Sequence, residues 1–144
     1  MKRMIAWSLA VVMSITCGLE SASAVNMGSV SPQASITLSD YNAGLKAGNN
    51  SGEIRISYSV SANNIANSMG VSSISVYKSD GSYVTTITGT TGNGLVINSD
   101  STHDGVYTYK GTSGASYYTK VTVFATIGST SDSRTVTTSA VKAP

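Results

Sequence analysis

The sequence contains very little cysteine, proline, tryptophan or histidine. Its 144 residues include one cysteine (Cys17), two prolines, one tryptophan (Trp7) and one histidine (His103). A single cysteine excludes an internal disulfide framework and a multi-cysteine metal site. Because Cys17 and Trp7 both lie near the N-terminus, the rest of the chain has no thiol chemistry. Its stability must therefore come from a packed core, which a chain of this length is able to bury.

The first 24 residues have the pattern of a secretory signal peptide. Lys2 and Arg3 form a positive n-region, residues 5–15 form an apolar stretch, and the Ala-Ser-Ala run at 22–24 provides a small-x-small cleavage pattern. The apolar stretch is shorter than the ~20 residues that a membrane-spanning helix needs. We therefore predict cleavage before Val25 and no integral membrane segment after cleavage.

Cys17 leaves an alternative to free secretion open. It lies at the end of the apolar stretch, where a bacterial lipobox places its lipid-modified cysteine, and lipidation there would hold the protein at a membrane. A lipobox has Leu three residues before the cysteine and a small residue directly before it, whereas this chain has Ser14 and Thr16. The sequence therefore favours a cysteine discarded with the signal peptide and a protein secreted to the extracellular space.

Charge is scarce and nearly balanced along the chain. Charged residues make up 11% of the sequence, and the formal net charge is +2 at pH 7. Such a balance provides little electrostatic attraction for nucleic acid or for anionic lipid, so we predict no nucleic-acid partner. Serine and threonine are abundant, but they alternate with Val, Ile and Tyr, which predicts half-buried strands rather than disorder.

A two-residue period dominates the chain from residue 34 onward. It is clearest over 53–62, where every second residue is apolar and the intervening ones are polar or charged. Clusters of turn residues separate about seven such segments. The sequence therefore predicts an all-β fold over 34–144, a single antiparallel β-sandwich of the immunoglobulin-like type, after a flexible lead at 25–33.

Several local features are expected within this sandwich. A phase slip near Asp40 predicts a bulge or a strand switch. The polar segments 63–70 and 98–105 are expected to be connections between strands, the first with one helical turn. Tyr107 and Tyr109 are expected to point inward, because Lys110 occupies the alternate face.

A hairpin is predicted at Ser79-Asp80-Gly81. As a three-residue loop with Gly81 in the left-handed region, it would pair Tyr77 with Tyr83 and Val76 with Val84. Both pairs match in character, which favours this register over a two-residue loop.

One segment resembles the sixth strand of immunoglobulin and fibronectin type III domains. In those domains a turn leads into a tyrosine and then into alternating valines. The corresponding residues here are Gly114, Tyr117, Val121, Val123 and Ala125. The resemblance implies the sandwich architecture, although the tyrosine lies about two residues early and the core has neither the cysteines nor the tryptophan of antibody domains.

Most of the chain also resembles a group of small exported single-domain proteins of Gram-positive bacteria. These proteins combine a signal peptide, a Ser/Thr-rich β domain and a Tyr–Asp-Gly–aromatic hairpin like that of Tyr77 to Tyr83. The group has no established activity. The resemblance therefore implies export and an immunoglobulin-like sandwich, and it transfers no functional residue.

Catalytic and metal-binding constellations are poorly developed. His103, Asp100 and Asp104 together with a serine contain the residue types of a hydrolytic triad, but no nucleophile motif accompanies them. Asp100, Thr102 and Asp104 also occupy the first ligand positions of an EF-hand-like loop. Its twelfth position, which needs a bidentate glutamate, is a glycine. The pattern favours a polar turn, so we expect no enzyme activity and no cofactor.

Tyr77 and Tyr83 are the candidate binding residues. Tyrosine presents an apolar ring and a hydroxyl at small entropic cost, which suits recognition of a cell-surface protein or a glycan. The alternative is a cross-strand pair that only stabilises its hairpin. We therefore predict a secreted, non-catalytic binding or interaction module. The second hypothesis is a secreted toxin or bacteriocin-like protein, which the small size and the absence of enzymatic motifs would also fit.

Overall fold

The computed structural model describes residues 35–144. The predicted signal peptide (1–24), its cleavage site, Cys17 and the lead at 25–33 lie outside these residues. In the described part, no helix is long and apolar enough to cross a membrane.

The described residues form nine β-strands. In chain order they are β1 (Leu38–Ala47), β2 (Glu53–Ala66), β3 (Ser68–Lys78), β4 (Tyr83–Thr88), β5 (Val96–Ile97), β6 (Asp100–Lys110), β7 (Ser116–Ile127), β8 (Thr130–Thr137) and β9 (Val141–Lys142). The two shortest, β5 and β9, have two residues each. The remaining strands match the predicted number of about seven.

The strands form two antiparallel sheets. Sheet 1 has the order β1-β2-β6, and sheet 2 has the order β4-β3-β7-β8, with β5 added to β3 and β9 added to β7. The chain therefore crosses between the sheets after β2, returns to sheet 1 at β6 and crosses again before β7. This arrangement confirms the predicted all-β sandwich.

The two-residue period places one face of each sheet in the core. On β2 the side chains of Ile54, Ile56 and Val60 are buried, and on β7 those of Val121 and Val123 are buried. Each such side chain contributes roughly 1.5–3 kcal/mol by leaving water. The predicted inward orientation of Tyr107 and Tyr109 is also confirmed, since both pack against this core.

The chain enters the domain by contacting sheet 2 before it joins sheet 1. The Thr37 hydroxyl is buried and donates a hydrogen bond to the carbonyl oxygen of Ala125 on β7 (3.0 Å). The Ser35 hydroxyl donates to Asp132 on β8, and this bond holds the pKa of that carboxyl below its usual range. The predicted bulge follows directly, as a register shift between Leu38 and Asp40.

The segment 63–70 is not the predicted helical connection. β2 continues to Ala66 and β3 begins at Ser68, and the side chains of Ala66 and Met69 are fully buried. The backbone of Asn67 donates a hydrogen bond to the carbonyl oxygen of Thr126 at this crossing between sheets. The exposed polar side chains of this segment suggested a loop, whereas its backbone is held by pairing with distant strands.

The polar segment 98–105 is also mostly strand rather than loop. β6 begins at Asp100 and pairs with β2 from there to Lys110. Only Asn98 and Ser99 remain in the turn, and Ser99 adopts a positive φ of 58°. The prediction was wrong because the long β2 strand offers a hydrogen-bonding partner that composition does not reveal.

The β3–β4 hairpin has the predicted turn and half of the predicted register. Gly81 has a φ of 90°, and Tyr77 pairs with Tyr83. Val76, however, pairs with Thr85 rather than with Val84, because the register shifts between Val76 and Tyr77. The additional residue is absorbed as a β-bulge close to the turn.

Tyr117 closes the turn between β6 and β7. Its hydroxyl accepts a hydrogen bond from the backbone N–H of Thr112 (2.8 Å), and its ring is buried. A Cβ atom at Gly111 would lie 2.7 Å from Cζ of the ring, so the turn needs glycine at this position. A tyrosine that bonds back to the preceding turn is a recurrent feature of immunoglobulin-like sandwiches.

Candidate binding surface

Three tyrosines lie side by side on the outer face of sheet 2. Tyr77 on β3 pairs with Tyr83 on β4 and with Tyr118 on β7. Its ring stacks on that of Tyr118, with the centroids 5.2 Å apart and the planes at 11°. It meets Tyr83 edge to face, with the centroids 5.8 Å apart and the planes at 72°. We call these three residues the tyrosine row.

A lysine and several hydroxyl groups border the tyrosine row. Nζ of Lys120 lies 5.3 Å from the centroid of the Tyr77 ring, within the range of a cation–π interaction. The Tyr83 hydroxyl donates to that of Thr86 (3.2 Å), which also shares a hydrogen bond with Ser75 (2.9 Å). These contacts restrict the side chains before any partner arrives.

Exposure differs along the row. Tyr83 is 62% exposed, whereas Tyr77 and Tyr118 are half-buried. Stacking covers one face of the Tyr77 ring and one face of the Tyr118 ring, so the row presents partly covered rings and hydroxyl groups. Its surface is therefore amphipathic rather than a flat aromatic platform.

The row does not belong to the core. The inner positions of β3 beneath it are Ile74 and Val76, both fully buried, and Val121 is the corresponding residue of β7. These aliphatic side chains hold the two sheets together without the tyrosines. The outward placement expected for Tyr77 and Tyr83 is therefore present in the structure.

Of these four residues, Tyr77 and Tyr83 were predicted from the sequence. Tyr118 and Lys120 were not, although the inward position of Tyr117 implies that both point outward. The missing information was that β7, and not another strand, lies beside β3. That neighbour is set by pairing across about 40 residues of chain, from Tyr77 to Tyr118.

His103 has a different environment from that of a catalytic base. Its Nε2 atom lies 2.9 Å from the carbonyl oxygen of Gly94, which fixes a proton on that nitrogen because a carbonyl only accepts. The Tyr58 hydroxyl donates to the same carbonyl (2.8 Å). Burial, and to a lesser degree the charge of Asp104, raises the pKa of Tyr58. Together these contacts attach β2 and β6 to the loop before β5.

The carboxylates proposed for a triad or a metal site are not gathered around His103. Asp104 follows His103 directly on β6, so their side chains point to opposite faces of the sheet. Oδ1 of Asp100 accepts the backbone N–H groups of Ser101 (2.7 Å) and Thr102 (3.3 Å).

The candidate metal ligands lie on an extended strand rather than in a curled loop. Asp100 and Asp104 are four residues apart on β6, which corresponds to roughly 13 Å of strand. The side chain of Thr102, which lies between them, is exposed. Within residues 35–144, no three His, Cys, Asp or Glu side chains form a group able to hold a metal ion.

The tyrosine row and Lys120, together called the tyrosine surface, are therefore the best-developed candidate site on sheet 2. They combine exposed aromatic area, hydroxyl groups and one positive charge on a rigid sheet. No family model, curated protein or solved structure matches this chain. The functional argument therefore depends on the geometry of the surface itself.

Proposed function

We propose that this protein is an exported, non-catalytic binding module whose tyrosine surface contacts a partner. The observation that carries the proposal is the position of Tyr77 between two further tyrosines and beside Lys120, on the outer face of the sheet. Export is inferred from the signal-peptide pattern of the first 24 residues.

The physical chemistry of the surface supports recognition. Tyrosine and tryptophan are enriched in the buried centres of protein interfaces because they bury a large area with few rotatable bonds. Here the stacking of Tyr77 on Tyr118 and the hydrogen bond from Tyr83 to Thr86 already restrict these rings. A partner would therefore meet a preorganised surface and lose less conformational entropy on binding.

The arrangement of the rings favours a protein partner over a glycan. A sugar ring usually stacks flat on an aromatic face, but Tyr77 is already stacked on Tyr118. The partly covered rings and the hydroxyl groups suit instead the mixed polar and apolar contacts of a protein interface. We therefore propose a protein exposed on a cell surface as the partner.

Replacement of the two most accessible tyrosines tests this function. The variant Tyr77→Ser/Tyr83→Ser and the unsubstituted protein are incubated with whole bacterial cells, with protease-treated cells and with purified cell-wall glycan. Retained protein and the melting temperature are measured for both. Ile65→Ser is the control, because Ile65 is an exposed apolar residue near the end of β2 and is not part of the tyrosine row.

We expect the double variant to remain folded and to lose at least about tenfold in retention on whole cells, since central aromatics often contribute 2 kcal/mol or more to binding. Protease treatment should abolish retention of the unsubstituted protein. Retention on glycan alone would show that the partner is a sugar and not a protein. Unchanged retention of the double variant would show that the binding surface lies elsewhere on the molecule. Growth inhibition of bacteria by the purified protein would favour the toxin hypothesis.

A further inference from the structure

The outer face of sheet 1 has a depression near the end at which β2 begins. It is lined by Lys46, Ala47, Arg55, Ser57 and Val106 and has a volume of about 220 Å³. We call it the cationic groove. It is smaller than the ~300–1,000 Å³ typical of sites for drug-sized ligands, so it suits a small chemical group.

Small side chains on neighbouring strands create this groove. Gly44 on β1 pairs with Ser57 on β2, which in turn pairs with Val106 on β6. Gly44 does not line the groove itself, but a Cβ atom there would lie only 3.0 Å from Oγ of Ser57, so glycine leaves room for the Ser57 side chain. Val106, which is 51% exposed, forms an apolar wall on the β6 side.

Two positively charged side chains lie next to each other in the lining of this groove. Lys46 on β1 and Arg55 on β2 are direct cross-strand partners, and both are exposed. Like charges in this position destabilise a sheet unless a negative charge lies between them. Their pairing therefore leaves a site of positive potential over the groove.

The nearest carboxylate on this face has other partners. Glu53 is the cross-strand partner of Lys110, and its Oε2 accepts a hydrogen bond from Nδ2 of Asn50 (2.5 Å). The other acidic residues of the face, Asp40 and Asp104, pair at positions farther along β2, at Ser61 and Ser59. The cationic pair therefore shares its end of the face with Glu53 and Lys110, and these four residues together keep a net positive charge.

We propose that the cationic groove binds an oxyanion, a phosphate or carboxylate group, either free or carried on a small organic molecule. The guanidinium fork of Arg55 matches the two oxygens of such a group, and Lys46 adds a second charge. The Ser57 hydroxyl, which donates to the carbonyl oxygen of Gly44 at 3.4 Å in the free protein, turns to the bound oxyanion, and Val106 contacts the carbon skeleton when one is present. This site lies on the opposite sheet from the tyrosine surface and does not depend on it.

The proposal is tested by NMR titration of the purified, isotope-labelled protein at constant ionic strength. The probes are inorganic phosphate, glucose 6-phosphate and glucuronate, with glucose as the neutral control. Backbone amide shifts and the side-chain Nε–H signal of Arg55 are followed. The variants are Arg55→Gln and Lys46→Gln, and Lys78→Gln is the charge-matched control because Lys78 is an exposed lysine at the end of β3.

We expect saturable shifts at Arg55, Ser57 and Val106 with the anionic probes and none with glucose. Arg55→Gln should weaken binding at least about tenfold, as expected for a charge-assisted hydrogen-bonded pair, and Lys46→Gln several-fold. Tighter binding of glucose 6-phosphate than of inorganic phosphate would indicate that the ligand is an organic molecule. Equal binding of the two probes would indicate a free anion.

The proposal is overturned by shifts that do not saturate, by shifts spread evenly over all lysines and arginines, or by equal loss of binding in Lys78→Gln. The melting temperatures of the three variants should agree with that of the parent protein. A folded Arg55→Gln variant that binds as the parent does would also exclude this site.

Discussion

The outer faces of the two sheets differ sharply, although their inner faces are alike. The outer positions of sheet 1 carry six charged residues, namely Asp40, Lys46, Glu53, Arg55, Asp104 and Lys110. The outer positions of β3, β4, β7 and β8 carry a single one, Lys120, among residues that are mainly tyrosine, serine and threonine and include Phe124. Inside, both sheets contribute fully buried Ile and Val side chains.

The comparison shows which positions the fold constrains. The fully buried inner positions are mostly apolar because they provide most of the stabilising burial, so the two sheets use similar residues there, whereas the edge strand β8 has Asp132 and Arg134 on its inner side. Outer positions have little effect on stability and are free to differ. Charged residues are concentrated on the outer face of sheet 1 and tyrosines on that of sheet 2. We therefore interpret this contrast as a difference in binding chemistry, and substitutions on each face test this interpretation.

The largest expected effect distinguishes an inner from an outer position. Val121→Asp should unfold the domain, because an unpaired carboxylate would be buried where the parent side chain is completely inaccessible. We expect a loss of more than ~4 kcal/mol. Ser57→Asp, on the outer face of β2, should remain folded and lose oxyanion binding. Similar thermal melting of the two variants would contradict the assigned orientations.

Two adjacent tyrosines of β7 provide a finer test of the same comparison. Tyr117→Phe removes the acceptor of the Thr112 N–H, and loss of this partly buried hydrogen bond should cost about 1 kcal/mol of unfolding free energy. Tyr118→Phe changes a hydroxyl on the outer face and should cost less than ~0.5 kcal/mol. Urea denaturation of the two variants measures the difference, and equal losses would show that this hydrogen bond contributes nothing.

The Tyr77→Ser/Tyr83→Ser variant should lose only about 1 kcal/mol of stability, from the lost cross-strand pair. The reason is that Ile74 and Val76 hold the opposite face of β3 in the core. Chemical denaturation measures this value alongside the retention experiment. An unfolded double variant would place the tyrosines among the structural residues.

The smallest expected change in stability is that of Gly44→Ala. Gly44 lies in a β-strand and its added Cβ would meet only Oγ of Ser57, a movable group, so unfolding free energy should change by less than ~0.5 kcal/mol. The added methyl group should nevertheless displace that hydroxyl and weaken oxyanion binding several-fold. Binding by the tyrosine surface should be unaffected, and a parallel loss at both surfaces would contradict their independence.

The sequence alone was sufficient for the fold class and for the orientation of most strands. The alternation in β2 and β7 assigned the buried residues correctly, and it also placed Tyr77 and Tyr83 on the outer face. These properties are local, because neighbouring side chains of a strand necessarily point to opposite sides. A period of two therefore identifies a strand and its apolar face without knowledge of its partners.

The pairing of strands distant in the chain was decided only by the tertiary structure. Most of the polar segments 63–70 and 98–105 is strand for this reason, because backbone hydrogen bonds to a partner strand outweigh side-chain propensity. Strand pairing also placed Tyr118 beside Tyr77 and Lys46 opposite Arg55. A shift of one residue in register would separate either pair, and local composition does not determine that register.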